Sequence, residues 1–420
     1  MLRCVAVKRL FLVAGVLAAG CTPVADGPTG GPATAAAATA AAPGAASAAI
    51  AAAPGSAAGA AAGAPGSAAA VTGLHPELGD ETAPPPEAAA STAKEVPGQP
   101  GLFVVRRRLM AMTTHWEVAL ATRDAASAEA PIAECFAEIA RLENVLSEWK
   151  PETEISKVNA AAGVAPVKVS PELLDTLQVA LDVGAMTEGG FDITFLPIGR
   201  LWHLRDPHAK LPDPAELAKA ISLVGYRHVV LDRAKSTAYL DRPGMAIGLG
   251  GIGQGIAVDR CSAILRARGF PDFIVDGSGD LFVSGKKGTE GWKVGVAHPR
   301  VHGWQFARLS LENRAITTAG DYERFAVIDG VHYHHIIDPK TGYPVPHTAS
   351  VSVIAPTTVL ADALDTGLFV MGAEKGLAVV AKRPDLEALF VSADGTVQMT
   401  PGFAKLATVD ALKLDLSVWR

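Results

Sequence analysis

Residues 335–342 read HIIDPKTG, and residues 357–371 read TTVLADALDTGLFVM. The second stretch is predicted to be a helix, on which Asp362, Asp365 and Thr366 have the spacing i, i+3, i+4. The three oxygen-bearing side chains would therefore share one face of that helix. Two carboxylates and a hydroxyl suit a hard cation such as Mg²⁺. This stretch therefore predicts a helix that carries a metal site.

The alternative for this face is an ordinary solvated surface, or an Asp365 carboxylate paired with a basic neighbour. Composition alone favours that alternative. However, the flanking residues Val359-Leu360 and Leu368–Val370 are apolar. Two acids inside such a run are costly to bury without a partner. The flanks therefore favour a functional site.

The chain has 420 residues, and its start is predicted to be an export signal. Three basic residues precede the apolar run Leu10–Ala19, which is too short to span a membrane. The junction Gly20-Cys21 has the form of a bacterial lipobox, so residues 1–20 would be a lipoprotein signal peptide and Cys21 would be lipidated. The alternative is an ordinary signal peptide with an incidental cysteine. Thr22 stands where an aspartate would favour the inner membrane, so we expect a lipid anchor in the outer membrane, facing the periplasm.

Residues 21–100 are predicted to be a flexible tether because they consist mainly of Ala, Gly, Pro, Ser and Thr. The Ala-Ala-Pro-Gly repeats at 41–44 and 52–55 break any helix. The segment has almost no large apolar side chains from which to build a core. A catalytic domain would then occupy residues 101–420, as one domain or two closely packed lobes.

The net charge and the cysteines limit the partners of the chain. A formal net charge of −6 gives no reason to expect nucleic acid. Cys4 would leave with the signal peptide and Cys21 would carry the lipid. Cys135 and Cys261 are too far apart in sequence for a metal motif, and whether they form a disulfide is left open.

The rest of the chain mixes helices with hairpins, which predicts an α+β fold rather than a doubly wound sheet. Helices are predicted at residues 131–146, 171–186, 213–221, 256–268 and 357–371. Strands are predicted at residues 102–109, 115–121, 228–232, 238–241, 273–276, 281–284, 292–296, 304–310 and 349–354.

Residues 248–253, GLGGIG, match the glycine pattern of a dinucleotide-binding turn. A predicted helix follows, and Asp276 ends the next predicted strand about twenty residues further on. Against this interpretation, no βαβ repeat continues and the glycines lie in the middle of the chain. A less specific inference is firmer. The backbone here approaches a ligand closely, and its N–H groups at a helix start suit a pyrophosphate.

Taken in order, these segments resemble those of the bacterial FAD:protein FMN transferases, the ApbE family. The resemblance covers about residues 110–403 and argues against nicotinamide binding. It implies an ApbE-like (T-fold-related) mixed sheet core with flanking helices. The matching segments are Ala111–Thr114, Leu146–Trp149 with Asn159, Gly190–Thr194 with Leu201-Trp202, Gly250–Ile252 through Asp259, Asp276–Asp280, Thr318–Tyr322, His335–Gly342 and Ala361–Thr366.

The resemblance also implies roles for individual positions. The Mg²⁺ ligands would be Asp362, Asp365, Thr366 and the backbone carbonyl of Gly251. The residues implied to line the FAD site are Met112, Trp149, Gly190, Phe191, Asp192, Gly248, Gln254 and Ile336. An apolar Met112 and an aromatic Trp149 could sandwich a flat ring. Without the resemblance, these two side chains would be interpreted as plain core packing.

Three positions depart from the family pattern. The family commonly has Asp where Gly248 stands, often has Lys where Gln254 stands, and has an aromatic residue where Ile256 stands. The loss of an acid and a base together could preserve the local charge balance while weakening FAD binding. Because the Mg²⁺ ligands are retained, we expect an active enzyme.

The reaction implied by the resemblance is the Mg²⁺-dependent transfer of FMN from FAD to a threonine of a partner flavoprotein. It forms a phosphoester and releases AMP. The nucleophile belongs to the partner, which is expected to be a membrane redox subunit. The candidate catalytic residues are Asp362 and His335, the latter handling the proton of the attacking hydroxyl. The alternative for His335 is a structural histidine beside the Asp338-Pro339 turn.

Three other functions were weighed. A zinc site is disfavoured because His332 and His334 alternate on one strand face that His335 does not share. A Mg²⁺-dependent FAD pyrophosphatase would use water in place of the threonine. A flavin-binding lipoprotein without turnover would be consistent with Gly248 and Gln254. AMP release from FAD, with and without an acceptor, separates the last two from a transferase.

Overall fold

The computed structural model describes residues 90–409, so the predicted signal peptide, the lipobox and most of the predicted tether lie outside the described residues. The strands are β1 (Thr92–Glu95), β2 (Phe103–Ala111), β3 (Thr114–Thr122), β4 (Val167–Lys168), β5 (Val229–Asp232), β6 (Thr237–Leu240), β7 (Phe273–Gly277), β8 (Asp280–Ser284), β9 (Lys286–Lys287), β10 (Glu290–Ala297), β11 (Gln305–Leu311), β12 (Arg314–Gly320), β13 (Phe325–Ile328), β14 (Val331–His334), β15 (Thr348–Ala355), β16 (Glu387–Ser392), β17 (Val397–Met399) and β18 (Ala407–Val409). The α-helices are α1 (Glu129–Leu146), α2 (Glu154–Ala160), α3 (Pro171–Met186), α4 (Leu196–Gly199), α5 (Pro214–Ile221), α6 (Gly253–Ala267), α7 (Thr358–Val380) and α8 (Pro401–Leu406).

A nine-stranded antiparallel sheet with the order β1-β2-β3-β7-β8-β12-β15-β16-β17 forms the centre of the fold. Helices α1, α6 and α7 pack on one of its faces, and the smaller sheet β18-β11-β10-β9 contributes the core on the other. The side chains of β3 alternate accordingly. Trp116, Val118 and Leu120 enter the core on the helix side, while Ala119 and Ala121 enter the opposite core.

The described residues confirm the predicted α+β class, with a mixed set of helices around antiparallel sheets. A two-stranded sheet, β13-β14, and a three-stranded sheet, β4-β6-β5, complete the architecture of residues 90–409. None of the helices described between residues 90 and 409 has the length and apolar character needed to cross a membrane.

Helix α7 carries the predicted metal face. The N–H groups at its start donate to a side chain of another helix. The N-cap residue Thr357 makes no side-chain capping bond. Instead, the carboxylate of Asp259 on α6 accepts the N–H groups of Thr358 at 2.8 Å and Val359 at 2.9 Å. Gly372, with φ 77°, breaks the helix where the predicted helix ends, and helical structure then continues to Val380.

The chain around residues 248–253 does not form a dinucleotide-binding βαβ unit. Residues 245–252, which precede α6, are not a strand. Strand β7, which follows α6, pairs antiparallel with both β3 and β8. The glycine pattern therefore lacks the parallel strands that a nicotinamide site of that type requires.

The described fold begins before the predicted boundary at residue 101. Strand β1 lies within the segment assigned to the tether and pairs antiparallel with β2. All four of its side chains are exposed, and the following Val96 is buried. Because an edge strand of four exposed residues has no apolar periodicity, it resembles a loop in sequence.

Candidate functional site

The centre of the candidate site is the carboxylate pair Asp362 and Asp365 on α7, whose side chains are buried with 5% and 3% exposure. The Gly255 N–H donates to Asp362 Oδ2 at 2.9 Å. The Thr366 hydroxyl donates to Asp365 Oδ1 at 3.3 Å. The predicted face of α7 therefore points into the protein, and the solvated alternative is excluded.

The burial of these acids makes their ionisation unfavourable. Burial raises the pKa of Asp362 to about 7. The hydrogen bond from the Gly255 N–H lowers this pKa, and the negative charge of Asp259 raises it further. Burial, and then the charge of Asp362, raises the pKa of Asp365 well above its usual value. Burial and the charges of Asp362 and Asp365 do the same to Asp280 on β8. A cation bound among them would offset this concentration of negative charge.

At Gly251 the backbone passes close to Thr366, as the predicted metal site requires. A Cβ atom at Gly251 would lie 3.3 Å from Phe191 Cε2 and 3.5 Å from Thr366 Oγ1. The structure therefore brings Gly251, Phe191 and Thr366 together, although they are far apart in sequence. Two carboxylates, a hydroxyl and an adjacent backbone form a set of hard oxygen donors, which fits Mg²⁺.

Across residues 90–409, no group of three or more His, Cys, Asp or Glu side chains is arranged to hold a metal ion. The predicted Mg²⁺ set contains only two such residues, because its other ligands are a hydroxyl and a carbonyl. His334 bonds to the backbone on both sides of its ring, with Nε2 2.8 Å from the Val345 carbonyl and Nδ1 accepting the Ile336 N–H at 3.2 Å.

The glycine-rich segment, residues 248–255, is held in place by backbone contacts. The Asn159 side chain accepts the Ile247 N–H at 2.7 Å and donates to the Ile247 carbonyl at 2.9 Å. The Gly248 N–H donates to the Ile193 carbonyl at 2.8 Å. A Cβ at Gly255 would lie 2.7 Å from the Thr358 carbonyl, so α6 crosses α7 with almost no clearance. The start of α6, including the half-buried Gln254, therefore lies beside the carboxylate pair.

The turn formed by residues 190–192 packs against α7. A Cβ at Gly190 would lie 2.8 Å from the Gly367 carbonyl. Asp192 Oδ1 accepts the N–H and hydroxyl of Thr194 at 2.9 and 2.6 Å, and Oδ2 accepts the Tyr226 N–H at 2.8 Å. Burial raises the pKa of Asp192, although these bonds oppose the shift. Asp192 therefore shapes this turn, and its contact with FAD stays a prediction.

A cleft of about 400 Å³ is lined in part by Asp192 of this turn. Asp192 shares the cleft with Glu188, Tyr226, His228 and Lys340. Of the residues predicted for the metal or FAD, only Asp192 lines it. The position of the carboxylate pair, rather than the size of this cleft, therefore defines the candidate site.

Met112 and Lys150, the residue after Trp149, both bond to the same acid, Glu143 on α1. The Met112 N–H donates to Glu143 Oε2 at 3.1 Å, and Lys150 donates to Glu143 Oε1 at 3.3 Å. Trp149 is 74% exposed, so core packing is excluded as its role. A large exposed aromatic beside a polar loop is suited to stacking on a flat ligand. Met112 is half-buried against the main core.

The β2–β3 turn that carries Met112 is strained. Met112 and Thr113 have φ of 49° and 59°, in the left-handed region that favours glycine or asparagine. A two-residue hairpin turn needs this backbone, but a β-branched threonine adopts it at a cost of about 1–3 kcal/mol. Such strain is typical of positions kept for a ligand rather than for stability.

Replacing Thr113 with glycine should increase the free energy of unfolding by about 1 kcal/mol, because glycine adopts positive φ without a steric penalty. Denaturant unfolding measures the change. Thr114→Gly is the matched control, and it should destabilise the protein because Thr114 begins β3. A Thr113→Gly protein less stable than the original would contradict the strained-turn interpretation.

The structure also reveals an acid that the sequence analysis missed. A Cβ at Gly248 would lie 3.4 Å from Glu148 Oε1, so the Glu148 carboxylate occupies the space beside this glycine. Burial raises the pKa of Glu148, while nearby backbone N–H groups and Arg200 oppose the shift. An acid is therefore present at this point of the site, although it comes from a different segment. The absence of Asp at position 248 was the signal that could have prompted a search for it.

His335 follows strand β14, and its ring is partly exposed. Its Nδ1 lies 3.3 Å from the Arg324 carbonyl. Desolvation, and then the charges of Arg324 and His334, lower the pKa of His335 to about 3. The ring is therefore neutral at physiological pH. Ile336, in contrast, is buried in the main core with 5% exposure, and its contact with FAD stays a prediction.

The chain is similar in sequence and in fold to known proteins. The FAD:protein FMN transferase of Treponema pallidum is 34% identical over 307 residues, which cover 69% of this chain and 84% of that protein. One from Klebsiella pneumoniae is 32% identical over 313 residues, covering 73% and 86%. The crystal structure of the ApbE protein from Thermotoga maritima superposes with a TM-score of 0.66 at 28% identity, covering 72% of this chain and 99% of that chain. The flavin transferase ApbE from Vibrio cholerae gives a TM-score of 0.64 at 25% identity, covering 76% and 99%.

The model of the ApbE family matches residues 112–390. This range includes the turn at residues 190–192, the glycine-rich segment and the carboxylate pair. The structural likeness extends over nearly the whole length of the solved relatives. The chain belongs to the ApbE family.

Proposed function

We propose that this flavin transferase moves FMN from FAD to a threonine of a partner flavoprotein, in a Mg²⁺-dependent reaction that releases AMP. The observation that carries the proposal is the buried pair Asp362 and Asp365 beside the start of α6, with Gly251 close to the adjacent Thr366 hydroxyl. Hard oxygen donors and a glycine-rich helix start are two features that together suit a metal-bound pyrophosphate. The names of the relatives from Treponema pallidum and Klebsiella pneumoniae support the same substrate.

The chain's own residues would perform distinct tasks at this site. The ligands for Mg²⁺ would be Asp362, Asp365, Thr366 and the Gly251 carbonyl. When bound, Mg²⁺ would neutralise charge on the pyrophosphate oxygens and help the AMP group to leave. Asp259 and the Gly255 N–H hold the carboxylate face in place, because they fix the start of α7 and the orientation of Asp362.

His335 is the proposed proton acceptor. Because its pKa is low, the ring is neutral, and its Nδ1 faces the Arg324 carbonyl. A proton on Nδ1 would satisfy that carbonyl and leave Nε2 as the acceptor. The partner's threonine oxygen would then form a bond to the FMN phosphorus while the bond to AMP breaks. The hydroxyl proton would pass to Nε2.

The test follows AMP and FMN released from FAD by the full chain in detergent with Mg²⁺. The acceptor is a purified flavoprotein subunit produced without its FMN, so that its acceptor threonine is unmodified, and the control is its threonine-to-alanine variant. The proposal expects AMP in proportion to FMN bound to the acceptor. AMP and free FMN without any acceptor would instead identify a pyrophosphatase. Tight FAD binding without AMP would identify a non-catalytic flavin-binding protein.

Mg²⁺ should stabilise the protein more at about pH 8 than at about pH 5. The folded pKa of Asp362 is about 7, above its ordinary value of 3.8. Stability of the metal-free protein therefore falls as pH rises from about 4 to about 7, because only the folded state keeps this proton. At low pH, Mg²⁺ must displace the proton of the Asp362 carboxyl group in order to bind. At high pH the carboxylate is already ionised. Thermal unfolding with and without Mg²⁺ measures the difference, and an equal shift at both pH values would contradict the assigned ligands.

We further propose that the protein is a lipid-anchored envelope protein facing the periplasm. About seventy residues separate Cys21 from β1, and a flexible segment of that length has a root-mean-square span of about 45 Å. That reach would allow the anchored enzyme to meet the exposed domain of a membrane redox subunit.

Replacing Cys21 with alanine should move the protein from the membrane fraction to the soluble fraction, because no lipid could be attached. Its FAD cleavage in solution should not change. Cell fractionation and immunoblotting measure the shift. A Cys21→Ala protein that still sediments with membranes would disprove the lipobox.

A further inference from the structure

Cys135 on α1 and Cys261 on α6 face each other where the two helices cross. Both side chains are fully buried. The Sγ atom of Cys135 lies 3.6 Å from the Cys261 carbonyl oxygen, and the Sγ atom of Cys261 lies 3.5 Å from the Cys135 carbonyl oxygen. Both cysteines are free thiols in the structure, and the two thiols are in contact with each other as well as with the opposite backbone. A bond between them would therefore join the two helices at this crossing.

We propose that Cys135 and Cys261 form a disulfide that joins α1 to α6 when the chain folds in an oxidising compartment. Two S–H bonds break, one S–S bond forms and two protons are released. The two electrons pass to a disulfide oxidant, either a small molecule or a protein, which becomes a dithiol. The bond adds no side chain and needs no metal, so the apolar surroundings of the pair accommodate it.

The burial of the two thiols determines when the disulfide can form. Contact with the Cys135 thiol, and then burial, raises the pKa of the Cys261 thiol well above its usual value. The folded pair therefore exchanges slowly with external disulfides, since the thiolate is the reactive form. The bond forms during folding, before the helices close, and the folded protein then protects it from reduction.

The two helices joined by this bond each hold residues that are predicted for the candidate site. Helix α1 contributes Glu143, which holds the Met112 turn. Helix α6 contributes Gly255 and Asp259, which hold the carboxylate pair and the start of α7. A covalent link between α1 and α6 would therefore limit movement of the Met112 turn relative to the carboxylate pair.

The test traps thiols with an alkylating reagent in denaturant and maps the peptides by mass spectrometry. The full chain is unfolded, reduced and then refolded in a buffer of reduced and oxidised glutathione. We expect a linked peptide pair that contains Cys135 and Cys261, and alkylation of both only after reduction. The Cys135→Ala variant should leave Cys261 free to react. If both thiols of the refolded protein are alkylated without reductant, the proposal is overturned, whatever the location of the protein in the cell.

A second readout is thermal stability. The refolded, oxidised protein should unfold about 5–10 °C higher than the same protein folded with its thiols reduced, because the bridge closes a long loop. The double variant Cys135→Ala, Cys261→Ala should show no dependence on the redox state. Equal unfolding temperatures for oxidised and reduced protein would show that the pair only packs. Neither readout depends on FMN transfer, so failure here is distinct from failure of the proposed activity.

Discussion

Replacing Asp362 with asparagine is expected to lower Mg²⁺-dependent FMN transfer by a factor on the order of 10²–10³. Asparagine has nearly the same shape, and its amide oxygen can still accept the Gly255 N–H. The change therefore removes a charge from the metal site without removing a packing group. AMP release from FAD at saturating Mg²⁺ measures the loss.

The same variant should be more stable than the original protein in the absence of metal at about pH 8. Folding raises the pKa of Asp362 to about 7, so its ionised form opposes folding, and the neutral amide does not. Asp385→Asn is the matched control, because Asp385 forms an ion pair with Arg383 near the surface. That control should retain its activity. An Asp362→Asn enzyme with normal FAD cleavage would disprove the assignment of this helix face.

Replacing Gly251 with leucine should have an effect of similar size on activity. Its Cβ atom alone would lie 3.3 Å from the Phe191 ring and 3.5 Å from the Thr366 hydroxyl. The longer side chain would press on the Phe191 ring and on the Thr366 hydroxyl, which is one of the proposed metal ligands. We expect loss of Mg²⁺ binding, measured by titration calorimetry, together with a decrease in transfer on the order of 10²-fold or more.

Gly253 offers the matched control for this experiment. Gly253 lies two residues further along and begins α6. A Cβ atom there would have no atom within 4 Å apart from its own residue, its chain neighbours and the nearby backbone of α6. Gly253→Leu should therefore retain Mg²⁺ binding, and it tests whether leucine in the glycine-rich segment is harmful in itself. Equal Mg²⁺ affinity in the Gly251→Leu and unaltered proteins would remove Gly251 from the metal site.

Local signals in the sequence predicted some elements with accurate bounds. Helix α3 begins at Pro171 and ends at Met186 as predicted, because Ser170 caps it and proline occupies its first turn. The face of α7 was predicted for a similar reason, since the spacing of Asp362, Asp365 and Thr366 requires only a helix. The burial of that face was expected from the apolar flanks and is confirmed.

Long-range contacts could not be predicted in this way. The capping of α7 by Asp259 joins residues 99 positions apart, and neither segment alone specifies it. The approach of Glu148 to Gly248 likewise depends on how two loops fold together. Strand β1 lies in the segment that composition assigns to the tether, and only its pairing with β2 identifies it as a strand.

Glu148 changes the interpretation of the departures from the family pattern. Without Asp at position 248, the sequence suggested a site that had lost an acid. The structure places the Glu148 carboxylate beside the same backbone position. An aspartate restored at position 248 would therefore stand next to an existing acid, and repulsion between the two would oppose any gain in affinity.

The capping of α7 by Asp259 also determines when the protein can acquire its ligands. The start of the helix that is proposed to bind the metal is completed only after α6, about a hundred residues earlier in the chain, has folded against it. Contacts of such high sequence separation form late and slowly. A nascent or translocating chain therefore has neither a metal site nor a flavin site until its domain is nearly complete. If the chain crosses a membrane unfolded, it arrives empty and must draw both FAD and Mg²⁺ from the compartment in which it folds.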